Sequence, residues 1–317
     1  MPLIATLTIN PAIDVSTSTE QVAPVRKLRC AASRRDPGGG GINVARVVRR
    51  LGAEAIAVYP IGGFTGQLLH QLVDREGVGS LTVPIAGDTR EDFTVFEAAS
   101  AQQYRFVMPG PHLHGVEWMA CLKALADLPV KPDLVCVSGS LAQGAPADFY
   151  ARVAEIVCSW GVRLVLDASG PALKAALDER LFLIKPNLRE MRELTGLPLE
   201  DEPAQIRACQ ELLGRRRLEA VALTLGAQGA LLVTREKVLR APALPIEPTS
   251  TVGAGDSFLG AMVWALASKL TLAEAFPYGV AAGSAALLAD GTELCRPQDV
   301  RRLLPRVVVE EISPAAA

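Results

Sequence analysis

The residues with the clearest chemical promise are Gly253-Ala254-Gly255-Asp256, followed by Ser257 and an apolar run over 258–266 that reads as a buried helix. Small residues let a backbone approach a ligand closely. A helix beginning there aims free N–H groups and the positive end of its dipole at that ligand, which favours an anion. A carboxylate in the same turn cannot help hold an anion. Ionised, it only accepts hydrogen bonds, so Asp256 is suited to taking a proton. The same residues also read as a glycine-rich loop with Asp256 as a helix cap.

A second constellation is Pro37-Gly38-Gly39-Gly40-Gly41-Ile42-Asn43. Four consecutive glycines cost chain entropy unless bare backbone is needed there. A helix with apolar positions 44, 45, 47, 48 and 51 follows at once, which a flexible linker would not show. Asn43, in its first turn, can donate and accept hydrogen bonds, as holding a polyhydroxylated ligand requires. Asp14 falls just past the first strand, where α/β proteins often place ligand groups. Arg90 and Arg105 bracket a β-hairpin, and arginine suits bidentate phosphate contact, although an exposed strand carries arginine equally well. Lys27 lies in a polar cluster with Arg26 and Arg29 and reads as a solvated lysine. In Asn187-Leu188-Arg189-Glu190 the Asn and Glu share one helix face. They fit a capping box, and Glu190 also fits ordering water around Mg²⁺.

These residues need a frame. Apolar strands near 3–9, 55–60, 134–138, 163–167, 182–185, 220–225 and 231–234 alternate for the most part with helices. The helices are expected near 66–76, 117–127, 147–160, 171–178, 188–195, 203–214, 256–268 and 275–288, with a final helix that has an extended end over 297–310. Such alternation predicts an α/β fold with a mainly parallel central sheet covered by helices on both faces. Strand ends at Ser138, Asp167, Lys185 and Thr224 should converge on one cleft. The hairpin over 91–108, together with residues 15–35, does not fit the alternation and is assigned to a small protruding sheet.

Composition narrows the classes. The chain has 317 residues, half of them hydrophobic, and a formal charge of −2, which argues against nucleic-acid or anionic-membrane partners. No long charge-free apolar run suggests a membrane span, and the first residues lack the features of a secretory signal. Six scattered cysteines without a C-x-x-C pair fit reduced, buried thiols in the cytoplasm. Three histidines, none paired at helical spacing, argue against zinc. Neither glycine motif completes a dinucleotide fingerprint, and no Gly-Lys dipeptide of a P-loop occurs.

The early motif 37–45, the late motif 250–258 and Asn187-x-x-Glu190, in that order, resemble the ribokinase-like (PfkB) sugar kinases over nearly the whole chain. The resemblance implies one ribokinase-like domain over 1–310, with lid strands from about 12–35 and 88–108, and a frayed tail over 311–317. It is greatest for the branch that phosphorylates fructose 6-phosphate. Kinases of tagatose 6-phosphate and fructose 1-phosphate typically carry a lysine where Gly40 stands, and they are the alternative, with a non-catalytic sugar or nucleotide sensor behind them.

The resemblance implies roles for single residues. Asp256 would be the base, and the amides of Gly253, Ala254 and Gly255 the anion hole. Asp14, Gly39, Gly40, Asn43 and Ser138 would hold the sugar, and Lys27, Arg90 and Arg105 its phosphate. Lys185, Asn187, Thr224, Gly226, Gly229 and Thr251 would line the ATP site, with Glu190 supporting Mg²⁺. Ser250, Val252, Ala286 and Gly291 match a potassium loop, although Ala289 and Glu293 depart from its usual pattern. The lid is expected to form a homodimer.

Overall fold

The computed structural model describes residues 1–312 except Thr251 and Asp290, and describes Arg215 by its backbone alone. The chain runs β1 (Leu3–Leu7), β2 (Ala12–Thr19), β3 (Arg34–Gly38), α1 (Gly40–Arg50), β4 (Glu54–Ile61), α2 (Gly63–Arg75), β5 (Gly79–Pro84), β6 (Arg90–Glu97) and β7 (Gln102–Phe106). It continues α3 (Gly115–Ala126), β8 (Leu134–Ser138), α4 (Phe149–Ser159), β9 (Arg163–Asp167), α5 (Gly170–Ala176), β10 (Leu181–Ile184), α6 (Leu188–Thr195), α7 (Glu202–Arg215), β11 (Leu218–Thr224), β12 (Ala230–Thr234) and β13 (Val238–Ala241). It closes with α8 (Ala254–Ala267), α9 (Leu272–Ala286), α10 (Pro297–Leu303) and β14 (Glu310–Ile312).

Among the described residues the strands form a ten-stranded sheet, in the order β14-β13-β12-β11-β10-β9-β8-β1-β4-β5, and a separate four-stranded sheet, β3-β2-β6-β7. The large sheet is parallel from β11 to β5 and antiparallel at its β12–β14 edge. This is the expected ribokinase-like α/β architecture with a small second sheet. The central parallel strands are mostly apolar, as in the fully buried Leu-Phe-Leu-Ile of β10 and Leu-Val-Cys-Val-Ser of β8, because both faces are covered. Leu134 and Cys136 of β8 pack toward α1 and α8, whereas Val135 and Val137 pack toward the α3–α4 side, the alternation a pleated strand imposes.

The chain leaves β1 in one direction for β4 and β5 and returns on its other side as β8. The crevice beyond the carboxyl ends of β1 and β8 is therefore the topological switch point, where ligands of such sheets bind. Close helix packing closes the layer beneath it. A Cβ on Gly260 of α8 would lie 2.6 Å from Val47 Cβ of α1, and one on Gly279 of α9 would lie 2.7 Å from Met262 Cγ.

Four expectations change. The final helix ends at Leu303, with a short 3-10 turn over Leu304–Arg306, because Pro305 cannot donate to a continued ladder. Glu311 and Ile312, placed in the frayed tail, pair with β13 and close the sheet edge, while 313–317 lie outside the described residues. Cys30 and Cys158 are exposed, and the other four cysteines are buried. In the small sheet, residues 15–35 are extended only at their ends, and β6 pairs with β2 in parallel.

Candidate active site

Helix α8 begins at Ala254 on an N-cap, Gly253, whose φ of 76° is the left-handed conformation that glycine adopts without strain. Asp256 is therefore the third residue of the helix, in its first turn, and the cap carries no side chain. The cap reading of Asp256 fails on that register. The first intrahelical bond runs from Ser257 N to Gly253 O, 2.8 Å, which leaves the amides of 254–256 without helical acceptors.

Asp256 instead meets Asn43. Asn43 Nδ2 donates to Asp256 Oδ2 at 2.8 Å across the α1–α8 contact, and a hydrogen bond to a charged group contributes about 1.5–3 kcal/mol. Asp256 keeps some solvent exposure through the cleft, but the protein packed around it strips away bulk water. That burial pushes its carboxyl above the usual range; Asn43 opposes the shift, Asp167 adds to it, and Lys185 and Arg105 offset it in part.

The glycine run is built by close approach. A Cβ on Gly38 would lie 2.6 Å from Asp14 Cγ, and one on Gly40 would lie 2.2 Å from Ser138 Oγ. Gly39 is the N-cap of α1 at φ 104°. The linker reading is thus excluded. Around these glycines lies a cleft of about 450 Å³ lined by Asp14, Gly39, Gly40, Asn43, Arg90, Arg105, Ser138, Glu190, Val252, Gly253 and Asp256, among others. A groove of about 880 Å³ lies at the opposite ends of β10 and β11, beside Leu218, Leu232 and Leu239. Its charges include surface pairs such as Arg180–Glu219. Convergent polar groups, not volume, mark the site.

The small sheet supplies the far wall. Asp14 stands opposite Asp92 in the β2–β6 register. Burial pushes the Asp14 carboxyl from the ordinary 3.8 up to about 7, Asp92 adds to the shift, and Arg105 opposes it. Arg90 bonds to Asp92, to Met108 O at 3.0 Å and to Asn10 O at 3.2 Å, so it ties the small sheet to the segments that connect it to the body. Its Nε is buried and has no acceptor among the described residues. Arg105 lines the cleft and is exposed. Lys27 is not brought in: it is exposed in the 20–33 connection. That connection leaves β2 at Thr19, roughly 17 Å along the strand from Asp14 at ~3.3 Å per residue.

On the body side, Ser138 Oγ donates to Asp167 Oδ2 at 3.2 Å, and Lys185 Nζ lies 3.2 Å from the same oxygen. Burial alone would lower the Lys185 ammonium; Asp167, Glu190 and Asp256 outweigh it and hold the amine charged. A Cβ on Gly255 would sit 3.5 Å from Lys185 Nζ, which puts that charge beside the α8 turn. Asn187 and Glu190 form the expected capping box, Glu190 N donating to Asn187 Oδ1 and Asn187 N to Glu190 Oε2, both at 2.9 Å. This leaves Glu190 Oε1 without a protein partner among the described residues. Burial and nearby Asp167 raise the Glu190 carboxyl, against the opposing bond from Asn187. Lys185, Asn187, Thr224, Gly226 and Gly229 do not line the cleft. They follow it at the carboxyl ends of β10 and β11, where Thr224 N donates to Pro186 O at 3.0 Å. Thr251 lies outside the described residues.

Upstream of α8, Ser250 Oγ donates to Gly291 O at 2.7 Å and accepts from Val252 N at 3.2 Å and Gln103 Nε2 at 3.3 Å. Thr249 N donates to Leu287 O just past Ala286. The segments carrying Ser250, Val252, Ala286 and Gly291 are therefore together, and they offer neutral oxygens. Glu293 is spent on Arg34 and Arg296. Among the described residues, no group of three or more His, Cys, Asp or Glu could hold a metal.

Asp167 lines the cleft as its place at a strand end implies, although the sequence assigns it no role; Asp92 is not singled out by the sequence at all. Asp167 is the carboxylate that ends the apolar strand β9. Asp92 becomes a site residue only through the β2–β6 register, which sequence does not reveal.

The fold and this cleft define a phosphoryl-transfer site facing a polar substrate. Residues 4–299 match the pfkB family carbohydrate kinase profile, and the chain belongs to that family. It is 46% identical over 301 residues to the ATP-dependent 6-phosphofructokinase isozyme 2 of Mycobacterium tuberculosis, covering 95% of this chain and 88% of the relative. It is 30% identical over 310 residues to the 1-phosphofructokinase of Bacillus subtilis, covering 98% of this chain and all of the relative. The crystal structure of Escherichia coli phosphofructokinase-2 in complex with potassium is similar at a TM-score of 0.92 and 39% identity, covering 96% of this chain and 99% of that one. Among the described residues, no helix is long and apolar enough to cross a membrane.

Proposed function

We propose that the chain transfers the γ-phosphoryl group of ATP to fructose 6-phosphate, giving fructose 1,6-bisphosphate. The observation that carries this reading is Asp256, held by Asn43 inside the open N-terminal turn of α8, across a cleft whose far wall bears Arg90 and Arg105. Asp14, Gly39, Gly40, Asn43 and Ser138 orient the sugar, and the two arginines take its phosphate. Asp256 accepts the proton of the attacking hydroxyl. The amides of 253–256 face the transferring group, and Lys185 adds positive charge beside them. This supplies the positioning and electrostatic stabilisation that phosphoryl transfer needs. Lys185, Asn187, Thr224, Gly226 and Gly229 hold ATP.

Glu190, with one free oxygen near the phosphate path, fits a Mg²⁺ held mainly by water and nucleotide oxygens. That ion would neutralise phosphate charge. The neutral oxygens around Ser250, Val252, Ala286 and Gly291 fit a weakly hydrated monovalent cation such as K⁺. The substrate test is a panel of fructose 6-phosphate, tagatose 6-phosphate, fructose 1-phosphate and unphosphorylated sugars, compared by kcat/KM. Fructose 6-phosphate is expected to lead; a higher value for any other member overturns the assignment.

The small sheet also serves as a homodimer interface. Phe93 and Phe106, paired across β6 and β7, are 39% and 48% exposed, a pair of large apolar groups that favours association. A Phe106→Glu chain should run as a monomer where the parent runs as a dimer in sedimentation; an unchanged dimer removes this face from consideration. Free thiols at all six cysteines fit a cytoplasmic site of action.

A further inference from the structure

We infer that Arg46 is a positioning residue for the reaction, fixing the Asn43 side-chain amide so that an N–H, and not its carbonyl, faces Asp256. This rests on Asp256 being the base.

Arg46 lies one turn beyond Asn43 on α1 and is fully buried, at 0% exposure. Its Nη1 donates to Asn43 Oδ1 at 3.0 Å and to Pro37 O at 2.8 Å. Its Nη2 donates to Glu76 Oε1 at 2.8 Å and lies 3.7 Å from Asp36 Oδ1. A guanidinium offers donors only, and a carboxylate acceptors only. Asn43 sits between the two. With its oxygen on Arg46 and its nitrogen on Asp256, both contacts are hydrogen bonds. Reversing the amide would set N–H against N–H at Arg46 and oxygen against oxygen at Asp256. Arg46 therefore excludes the reversed state, which a lone asparagine could adopt.

The anchor is rigid for a physical reason. Glu76, just beyond α2, also pairs with Arg50 at 2.9 Å, and Asp36 of β3 is held by Thr292 Oγ1 at 2.9 Å. The guanidinium thus spans α1, the end of α2 and the root of the small sheet. Its Nε finds no acceptor among the described residues, a cost that a residue kept for packing alone would avoid.

The groups acting on Asp256 come from several elements. Asp14 on β2 and Asp167 at the end of β9 oppose its ionisation, whereas Arg105 on β7 and Lys185 beyond β10 favour it. The Cys136 thiol of β8 also feels its charge. The Asn43 N–H is the direct hydrogen bond in this set, so losing its orientation should move the acid limb of the rate profile upward.

The test is a kinetic cycle over pH on the parent chain, Arg46→Met, Asn43→Ala and the double variant. Arg46→Met should lower kcat about 10- to 100-fold, as misplacement of a reacting group does. It should also shift the acid limb of kcat to higher pH while leaving the KM for ATP within about twofold. On the Asn43→Ala background the same substitution should change kcat by less than about threefold, because the connection is already cut. An equal loss on both backgrounds overturns the inference, and so does an unmoved acid limb in a folded Arg46→Met chain. Arg46→Lys covers failure of the Met variant to fold: it keeps charge beside Glu76 but lacks the fork that reaches Asn43 and Pro37 together. It should move the acid limb the same way by less; no movement in a chain with native circular dichroism counts against the role. Asp256→Asn measured alongside separates the failures. Full turnover there removes the base itself, whereas an inactive Asp256→Asn with additive Arg46 effects removes only the Arg46 role.

Discussion

Two carboxylates face one cleft from regions built differently. Asp256 sits in the first turn of α8, in the packed body, with a donor at 2.8 Å and Lys185 nearby. Asp14 sits on β2 of the small sheet, opposite another carboxylate, Asp92, and the positive charges that favour its ionisation are Arg105 and Arg46. Burial raises both groups. The difference is the partner supplied in advance. Asp256 has one and is poised to act as a base. The Asp14 carboxylate accepts no side-chain or backbone hydrogen bond among the described residues, which, on the proposed function, suits recognition of a hydroxylated ligand rather than chemistry.

The largest expected effect tests the Asp256 side of that contrast. Asp256→Asn keeps shape and polarity but cannot take a proton, so kcat should fall about 10²- to 10⁴-fold with the fold intact. Asp14→Asn should act mainly on the KM for the sugar phosphate. Near-parent turnover in Asp256→Asn, or a larger kcat loss at Asp14 than at Asp256, would break the distinction.

Each carboxylate is guarded by a glycine, and substituting these gives the next effect. A methyl at Gly38 would meet the Asp14 carboxylate at 2.6–2.7 Å. The short side chain must move aside while the backbone stays. Gly38→Ala should raise the KM for the sugar phosphate about tenfold, a loss typical of one misplaced contact, with kcat at saturation nearly kept. A methyl at Gly255 would meet only Lys185 Nζ, at an ordinary 3.5 Å. Gly255→Ala should therefore fold normally and lose kcat, because the methyl crowds the turn that faces the moving phosphoryl group. Equal KM and kcat effects for the two variants in steady-state kinetics would erase the assignment of separate duties.

Much of this was legible in the sequence, for identifiable reasons. Strands such as β8 and β10 are short, almost wholly apolar runs, and both signature motifs sit at helix starts, so architecture and cleft position follow from pattern and glycine chemistry. The capping box at Asn187 and Glu190 was readable because its spacing is local. What was not legible depends on register and on reach across the fold. Asp92 enters through its pairing opposite Asp14, Arg46 through contacts with Pro37 at the end of β3 and with Glu76 beyond α2, and β14 through pairing of a charged segment that carries no strand pattern. Lys27 was drawn in by resemblance alone, and the length of β2 carries its loop away from the cleft.

The smallest effect concerns stability, and it sharpens the contrast without a substrate. The folded state raises the Asp14 carboxyl from 3.8 to about 7, so it binds that proton more tightly than the unfolded chain does. The resulting stabilisation is fully present below pH 3.8 and is lost as pH rises through about 7. Above that, the ligand-free protein carries an ionised Asp14 facing Asp92 with no hydroxyl donors to relieve it. Asp14→Asn removes this loss. Its Tm should match the parent near pH 4 and exceed it by about 2–6 °C at pH 8, taking a few °C per kcal/mol for a chain of this size and discounting for the open cleft. Scanning calorimetry without ligand at both pH values decides the matter. A Tm difference that stays constant with pH would mean that Asp14 is relieved by a partner in the free protein, as Asp256 is by Asn43, and the two regions would then be alike in the respect that separates recognition from catalysis.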